Sequence, residues 1–171
     1  MKYIFDLNTE NCVGCGACSV ACMDQNDTDT ERGEKPFRVV STLEQGYRGE
    51  TRWSYISVAC MHCEDAPCIK ACPCGCLFKD EETNFTIYDN TNCIGCHSCA
   101  MACPFGAPRF NEEGKMVKCD GCNDRVKAGL KPACVKACPF DALKMYSEDE
   151  YKQAHPARGI HDIVQQLLRQ E

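Results

Sequence analysis

No apolar run in this sequence reaches the ~18 residues that a membrane-crossing helix needs, and the mean hydropathy is −0.40. No membrane span of its own is therefore expected. Basic residues are not in surplus: 19 Lys and Arg stand against 25 Asp and Glu, a net charge of −6. Nucleic-acid binding rests on neutralising phosphates, so no nucleic-acid partner is expected. The first residues, Met1-Lys2-Tyr3-Ile4-Phe5-Asp6, lack the charged region, long apolar region and cleavage site of a secretory signal. The expectation is synthesis in the reducing cytosol and a cytoplasmic location, which leaves open export alongside a partner that bears a signal. No Gly-rich dinucleotide loop follows a strand, and no nucleophile–base constellation stands out. A self-contained enzyme is thus disfavoured. Tryptophan is single, Trp53, with a core or interface role expected.

What the chain has in excess is cysteine, 18 of 171 residues, far above ordinary usage. In a reducing compartment such a count points to metal rather than disulfides. Sixteen of them fall into four groups of four. The first is Cys12, Cys15, Cys18 and Cys22, and the third, with the same spacing, is Cys93, Cys96, Cys99 and Cys103. The second, Cys60, Cys63, Cys68 and Cys72, and the fourth, Cys119, Cys122, Cys134 and Cys138, are more open. Proline follows the last cysteine of every group but the first, where Met23 stands. The groups also repeat one another. Asn11-Cys-Val-Gly-Cys returns as Asn92-Cys-Ile-Gly-Cys, and Cys68-Ile-Lys-Ala-Cys-Pro as Cys134-Val-Lys-Ala-Cys-Pro. This is the signature of a doubled two-motif unit.

A cubane 4Fe–4S cluster needs four thiolates at its corners. Three cysteines at i, i+3 and i+6 can wrap three corners, with Gly14 and Gly95 expected to let the backbone approach closely. The fourth, expected to begin a short helix, sends its sulfur to a different cluster, as in two-cluster bacterial ferredoxins. Disulfides fit the even count but not the compartment. Structural zinc fits the paired C-x2-C spacing but not the three-plus-one pattern. Cys93-Ile-Gly-Cys96-His97 has the form of a haem-attachment motif, yet Cys99 and Cys103 follow at ferredoxin spacing. With all sixteen positions filled by thiols, four 4Fe–4S clusters are the expected cofactors, and the contrasting possibility is a cysteine-rich structural zinc-binding interaction protein.

Short strands and hairpins fill the intervals. Tyr3 to Leu7 reads as a strand, and Phe37 to Leu43 with Arg52 to Val58 as a hairpin. Gln25 to Pro36 reads as a polar surface loop. Leu77-Phe78 with Phe85 to Tyr88, and Arg109-Phe110 with Met116-Val117, flank acidic turns, and Leu143 to Tyr146 ends the cysteine-bearing region. In the tail, Ile160, Ile163, Val164, Leu167 and Leu168 follow the period of an amphipathic helix. That helix is expected to pack on the protein's own surface or to dock on a partner. Only 44% of residues are hydrophobic, cysteines included, so the clusters must supply much of the fold.

The order of groups, with Cys60-Met-His-Cys-Glu-Asp-Ala-Pro-Cys, Cys103-Pro-Phe-Gly-Ala-Pro and Lys118-Cys-Asp-Gly-Cys-Asn-Asp-Arg, resembles the DmsB-like iron–sulfur subunits of the dimethyl sulfoxide reductase superfamily over about residues 2 to 146. The resemblance implies an α+β fold of two interleaved bacterial ferredoxin-like halves with a C-terminal helical tail. Residues 1–22 with 104–146 would form an outer half and 60–103 an inner half. Residues 23–59 would be an inserted loop and hairpin, and 147–171 the tail. It implies a nested ligand assignment: Cys12, Cys15, Cys18 and Cys138 for cluster A; Cys22, Cys119, Cys122 and Cys134 for cluster B; Cys60, Cys63, Cys68 and Cys103 for cluster C; Cys72, Cys93, Cys96 and Cys99 for cluster D. Spacing alone does not choose this over pairing of neighbouring groups. Some relatives lack one thiol and hold a 3Fe–4S centre.

The implied role is a non-catalytic electron relay of anaerobic metabolism. Its partners would be a molybdenum or tungsten pterin catalytic subunit and a second redox partner: a membrane anchor, a flavoprotein, a soluble carrier or another copy. Cys74 and Cys76 depart from the family pattern and read as small buried hydrophobes, with a spare ligand or an oxidation-prone pair as the sharper readings. Clusters carry negative charge, which Lys70, Lys118, Arg125, Lys131 and Lys136 are placed to offset, although solvated surface charge is the simpler reading of each. His62 and His97 lie inside motifs, where they can donate hydrogen bonds to sulfur.

Overall fold

The computed structural model describes residues 2–47 and 49–155. Its elements are short. β1 (Tyr3–Leu7) leads into the first cysteine loop and α1 (Ala17–Gln25), and β2 (Val39–Tyr47) and β3 (Glu50–Val58) follow the polar loop. Next come α2 (Pro67–Ala71), β4 (Leu77–Lys79), β5 (Thr86–Tyr88), α3 (Ser98–Ala102), β6 (Arg109–Phe110) and β7 (Met116–Val117). The chain continues through α4 (Asn123–Lys127), α5 (Ala133–Lys136), β8 (Leu143–Ser147) and α6 (Glu148–Ala154). The described strands form four two-stranded antiparallel sheets, three of them local hairpins. The fourth joins the two ends of the cysteine-bearing region: β1 pairs with β8, Phe5 opposite Met145 and Leu7 opposite Leu143.

Two expectations are corrected. The fourth cysteine of a group ends a helix instead of beginning one. Cys72 and Cys103 are the residues after α2 and α3, with ψ of 111° and 115°. The following proline forbids the helical ψ at the residue before it, so the helix stops there. In the first group, where Met23 replaces proline, α1 runs on past Cys22 to Gln25. The inserted hairpin is also longer than its apolar runs: β2 and β3 continue until Tyr47 faces Glu50. Backbone pairing there extends beyond the residues that have apolar reasons to be strands.

The interior is thin. One small core gathers Ala66, Cys68, Leu77, Cys99 and Met116, and another gathers Cys134, Val135 and Leu143 against Phe5 and Leu7. Cysteine is part of both. Between them Phe85, 1% exposed, stacks near Tyr3, Phe5 and His62. Trp53 is not a core residue; it lies 56% exposed on β3. Ser147 caps α6 in a reciprocal box with Glu150. The Ile160 to Leu168 pattern lies outside the described residues. None of the described helices is long and apolar enough to cross a membrane.

Candidate metal centre

Each compact motif is a loop that enters a short helix through a left-handed residue, Gly16 before α1 and His97 before α3. The loop lays three cysteines around a depression, and a distant segment supplies the fourth. Cys12, Cys15 and Cys18 share a small cavity with Cys138, and its wall is finished by Leu7, Val13, Val40 and Leu143. The pairing of β1 with β8 brings Cys138 there. Cys93, Cys96 and Cys99 likewise share a small cavity with Cys72. In both, one thiol is exposed to solvent, Cys15 in the first and Cys96 in the second.

The other eight thiols of the four groups bear on one another. Burial opposes the ionisation of Cys22, Cys134 adds to it, and both of these cysteines bear on Cys122. Cys60 and Cys103 do the same to Cys68, while Lys79 faces Cys60, Cys63 and Cys68. Cys119 meets Cys60 across the join between the two sets. Burial pushes the Cys122 thiol up to about 11 and Cys119 higher still, with Cys60 adding to the latter. Metal ligation requires the thiolate, so filling these positions expels protons.

Donors point at sulfur throughout. Backbone N–H groups of Cys76, Met116, Gly121 and Leu143 donate to Sγ of Cys72, Cys93, Cys119 and Cys138 at 3.3 to 3.4 Å. Asn26 Nδ2 lies 3.6 Å from Cys22 Sγ, and Ser57 Oγ 3.3 Å from Cys18 Sγ. Soft thiol ligands, apolar walls and N–H donors to sulfur are what an iron–sulfur cubane requires. Among the described residues no three His, Cys, Asp or Glu converge as they would on a single ion.

Lys118 departs from the surface-charge reading. It is 1% exposed, and its Nζ donates to the carbonyls of Thr86 and Cys119 and approaches Cys60 Sγ at 3.9 Å. Lys70, Lys131 and Lys136 are exposed, and Arg125 donates to the Lys131 carbonyl and to Gln25. His62 is buried, with Nε2 at 3.8 Å from Cys119 Sγ. Burial, reinforced by Lys118, Lys79 and Arg38, holds His62 well below its ordinary value and so neutral. His97 instead stacks on Phe110, and Ser98 Oγ is the group beside Cys96 Sγ, at 3.4 Å.

Two cations were missed by the sequence reading. Arg38 is 4% exposed and donates to the Ser57 carbonyl and hydroxyl. Lys79 donates to the carbonyls of His62 and Cys63. The Arg38 partner lies 19 residues away, and of the Lys79 partners only the Asn84 carbonyl is local, His62 and Cys63 lying 17 and 16 residues away.

The glycine expectation changes its reason. A Cβ on Gly14, at φ 67°, would overlap the Tyr55 ring, and one on Gly95 would stand 2.7 Å from the Gly114 carbonyl. The close approach is to neighbouring protein. Cys74 and Cys76 line the same cavity as Cys72. Cys76 is 4% exposed, and burial together with Cys72 pushes its thiol up to about 11. This is the environment of a small apolar residue.

Comparison with known proteins agrees with this chemistry. A family described as a 4Fe-4S dicluster domain matches residues 51–148, more than half of the chain, and a second family of the same description matches residues 11–76. The B subunit of the anaerobic dimethyl sulfoxide reductase of Escherichia coli K12 is 42% identical over 163 residues, covering 90% of this chain and 78% of its own length. The chain belongs to the DmsB-like family of iron–sulfur electron-transfer subunits. The thiosulfate reductase electron transfer subunit PhsB of Salmonella typhi is 40% identical over 87% of this chain and 78% of its own length. The iron–sulfur subunit of the nitrate-inducible formate dehydrogenase of E. coli K12 is 36% identical over 84% of this chain but only 54% of its own length. Membership of the DmsB-like family accounts for both matched regions and for the thiol-lined cavities.

Proposed function

We propose that this DmsB-like chain holds four 4Fe–4S clusters and relays electrons between a molybdenum or tungsten pterin catalytic subunit and a second redox partner. It would do no substrate chemistry of its own. The ligand sets are the nested ones: Cys12, Cys15, Cys18 and Cys138; Cys22, Cys119, Cys122 and Cys134; Cys60, Cys63, Cys68 and Cys103; Cys72, Cys93, Cys96 and Cys99. One observation carries this reading. Cys138 lines the cavity of Cys12, Cys15 and Cys18, although it is the last cysteine of the chain. That geometry favours nested over neighbouring pairing, and with it an outer half of residues 1–22 and 104–146 around an inner half of 60–103.

When bound, each cluster supplies reversible one-electron chemistry. The protein's part is to hold, space and tune. α1 carries Cys18 and Cys22, ligands of the first and second sets, on one rigid element. α2 and α3 lead to the ligands of the third and fourth sets in the same way. Cys60 and Cys119 bring the second and third sets together. The sets thus form a row with an exposed thiol at either end, Cys15 and Cys96. Exposed apolar residues accompany these ends: Val13 at 47% and Phe140 at 49% beside the first, Ile94 at 69% beside the other. These are the faces for the catalytic subunit and the second partner. The chain acquires its clusters in the cytosol.

The test is metal and sulfide analysis of anaerobically purified full-length chain. About sixteen irons per chain, with a brown absorption that bleaches on reduction, are expected. About four zincs in a colourless sample would establish a structural zinc protein instead.

A further inference from the structure

The centre of the molecule holds two buried donors whose positions in sequence and in space are crossed. His62 belongs to the second motif, between Cys60 and Cys63, yet its Nε2 lies 3.8 Å from Sγ of Cys119 in the fourth motif. Lys118 belongs to the fourth motif, next to Cys119, yet its Nζ lies 3.9 Å from Sγ of Cys60 in the second. Both are fixed by Thr86 of β5, itself 1% exposed. The Thr86 N–H donates to His62 Nδ1 at 3.1 Å, and the Thr86 carbonyl accepts from Lys118 Nζ.

This anchoring decides the proton positions. Nδ1 accepts from Thr86, so it carries no hydrogen, and the ring's one N–H sits at Nε2, facing sulfur. Phe85, with its centroid 4.7 Å from that of the imidazole, helps hold the ring in this orientation. Lys118 is 1% exposed, and its hydrogen bonds run to two carbonyl oxygens and to Cys60 Sγ. A buried ammonium is costly unless it is paired, and among the described residues no carboxylate bonds to Lys118. The thiolate of Cys60, and the negative charge that it holds, supplies the missing counter-charge.

We propose that His62 and Lys118 are reciprocal positioning residues that hold the potentials of the two inner clusters together, each donating from one cluster's ligand motif to a thiolate of the other. The inference rests on the ligand sets proposed above. A donor to a cluster thiolate favours the more negative reduced state and so raises the potential. Electron passage between the second and third clusters depends on that match.

The crossing gives the test its direction. In anaerobic full-length chain, Cys119→Ser and Cys60→Ser identify which paramagnetic resonance signal belongs to which cluster. His62→Phe keeps an aromatic ring beside Phe85 and removes the donor. It is expected to lower the potential of the Cys119 cluster, shifting its reduced-to-oxidised ratio about tenfold, or ~59 mV for a one-electron couple. The Cys60 cluster, whose ligands flank the mutated residue, stays within a third of that. Lys118→Met keeps the buried stem and is expected to lower the Cys60 cluster by at least as much, while Lys118→Arg restores most of the shift. Iron content is measured in every variant. Sixteen irons with neither potential moved would overturn the inference and leave the relay standing, as would His62→Phe moving only the Cys60 cluster. If His62→Phe loses clusters, the Lys118 pair of variants decides the matter on the Cys60 signal. An iron-free wild-type chain overturns the relay and this inference together.

Discussion

At the scale of single residues, most constraints come from neighbours remote in sequence. Gly14 is required by Tyr55 as much as by its own φ of 67°. Gly14→Ala adds a left-handed strain of about 1–2 kcal/mol and an overlap that moves the ring of the inserted hairpin. It is expected to destabilise the chain by roughly 3 kcal/mol in all, read as an earlier anaerobic denaturation midpoint and a faster loss of iron. An unchanged midpoint would mean that Tyr55 swings aside freely. The grouping of Cys12, Cys15 and Cys18, and of Cys93, Cys96 and Cys99, was legible in the sequence because a three-cysteine loop is a local pattern. The burial of Lys118 was not, because its sulfur neighbour lies 58 residues away. By its own motif, Lys118 is indistinguishable from the exposed Lys136.

At the scale of elements, the small helices are set by their ends. The helix of the first group runs through Cys22 because Met23 supplies the N–H and the helical backbone that proline denies the other groups. Met23→Pro, which restores the pattern of the other three groups, is therefore expected to harm this one. It should cost about 3 kcal/mol and lower iron content through the displaced Cys22, checked by thermal unfolding and iron analysis. Retention of the full wild-type iron content and an unchanged midpoint would refute this account of the helix. The sequence placed the strands β1, β6 and β7 at their observed limits, since apolar runs flanked by turns mark them. It misplaced the short helices because proline was read as a turn after the cysteine and not as a constraint upon it.

A second element-scale device ties the β4–β5 hairpin to α4. Asp80, 8% exposed, accepts from Thr83, from Asn123 Nδ2 at 3.0 Å and from Lys127 Nζ at 2.5 Å. Burial alone would raise its carboxyl; the bonds from Lys127, Thr83 and Asn123 outweigh it and hold the group well below the usual carboxylate range. A depressed native value means stability that is complete above the unfolded value of about 4 and lost only as pH falls through the native one. Asp80→Asn should thus cost roughly 2 kcal/mol, and urea midpoints should differ from wild type by the same amount at pH 5, 6 and 8. A gap that already narrows at pH 5 would contradict this.

At the scale of the whole molecule, the described residues offer two small cores, each partly built of cysteine. Two-stranded sheets bury little by themselves, so the bound clusters act as the missing interior. Anaerobic removal of iron by a chelator is expected to abolish the cooperative thermal transition and collapse the far-ultraviolet dichroism. A chelated, iron-free sample that keeps native dichroism would show that the polypeptide folds without them. The formal charge of −6 becomes more negative on loading, and the buried Arg38 and Lys118 are placed where that charge gathers.

The pairing of β1 with β8 also imposes an order in time. β1 leaves the ribosome with its cysteine loop, but its ladder partner, Leu143–Ser147, follows all four cysteine groups along the chain. During translation residues 60–103 emerge together, while Cys12, Cys15 and Cys18 still lack Cys138, the fourth thiol lining their cavity. The wall of the cavity around Cys12, Cys15 and Cys18 is therefore completed only once the segment through Leu143 has been made.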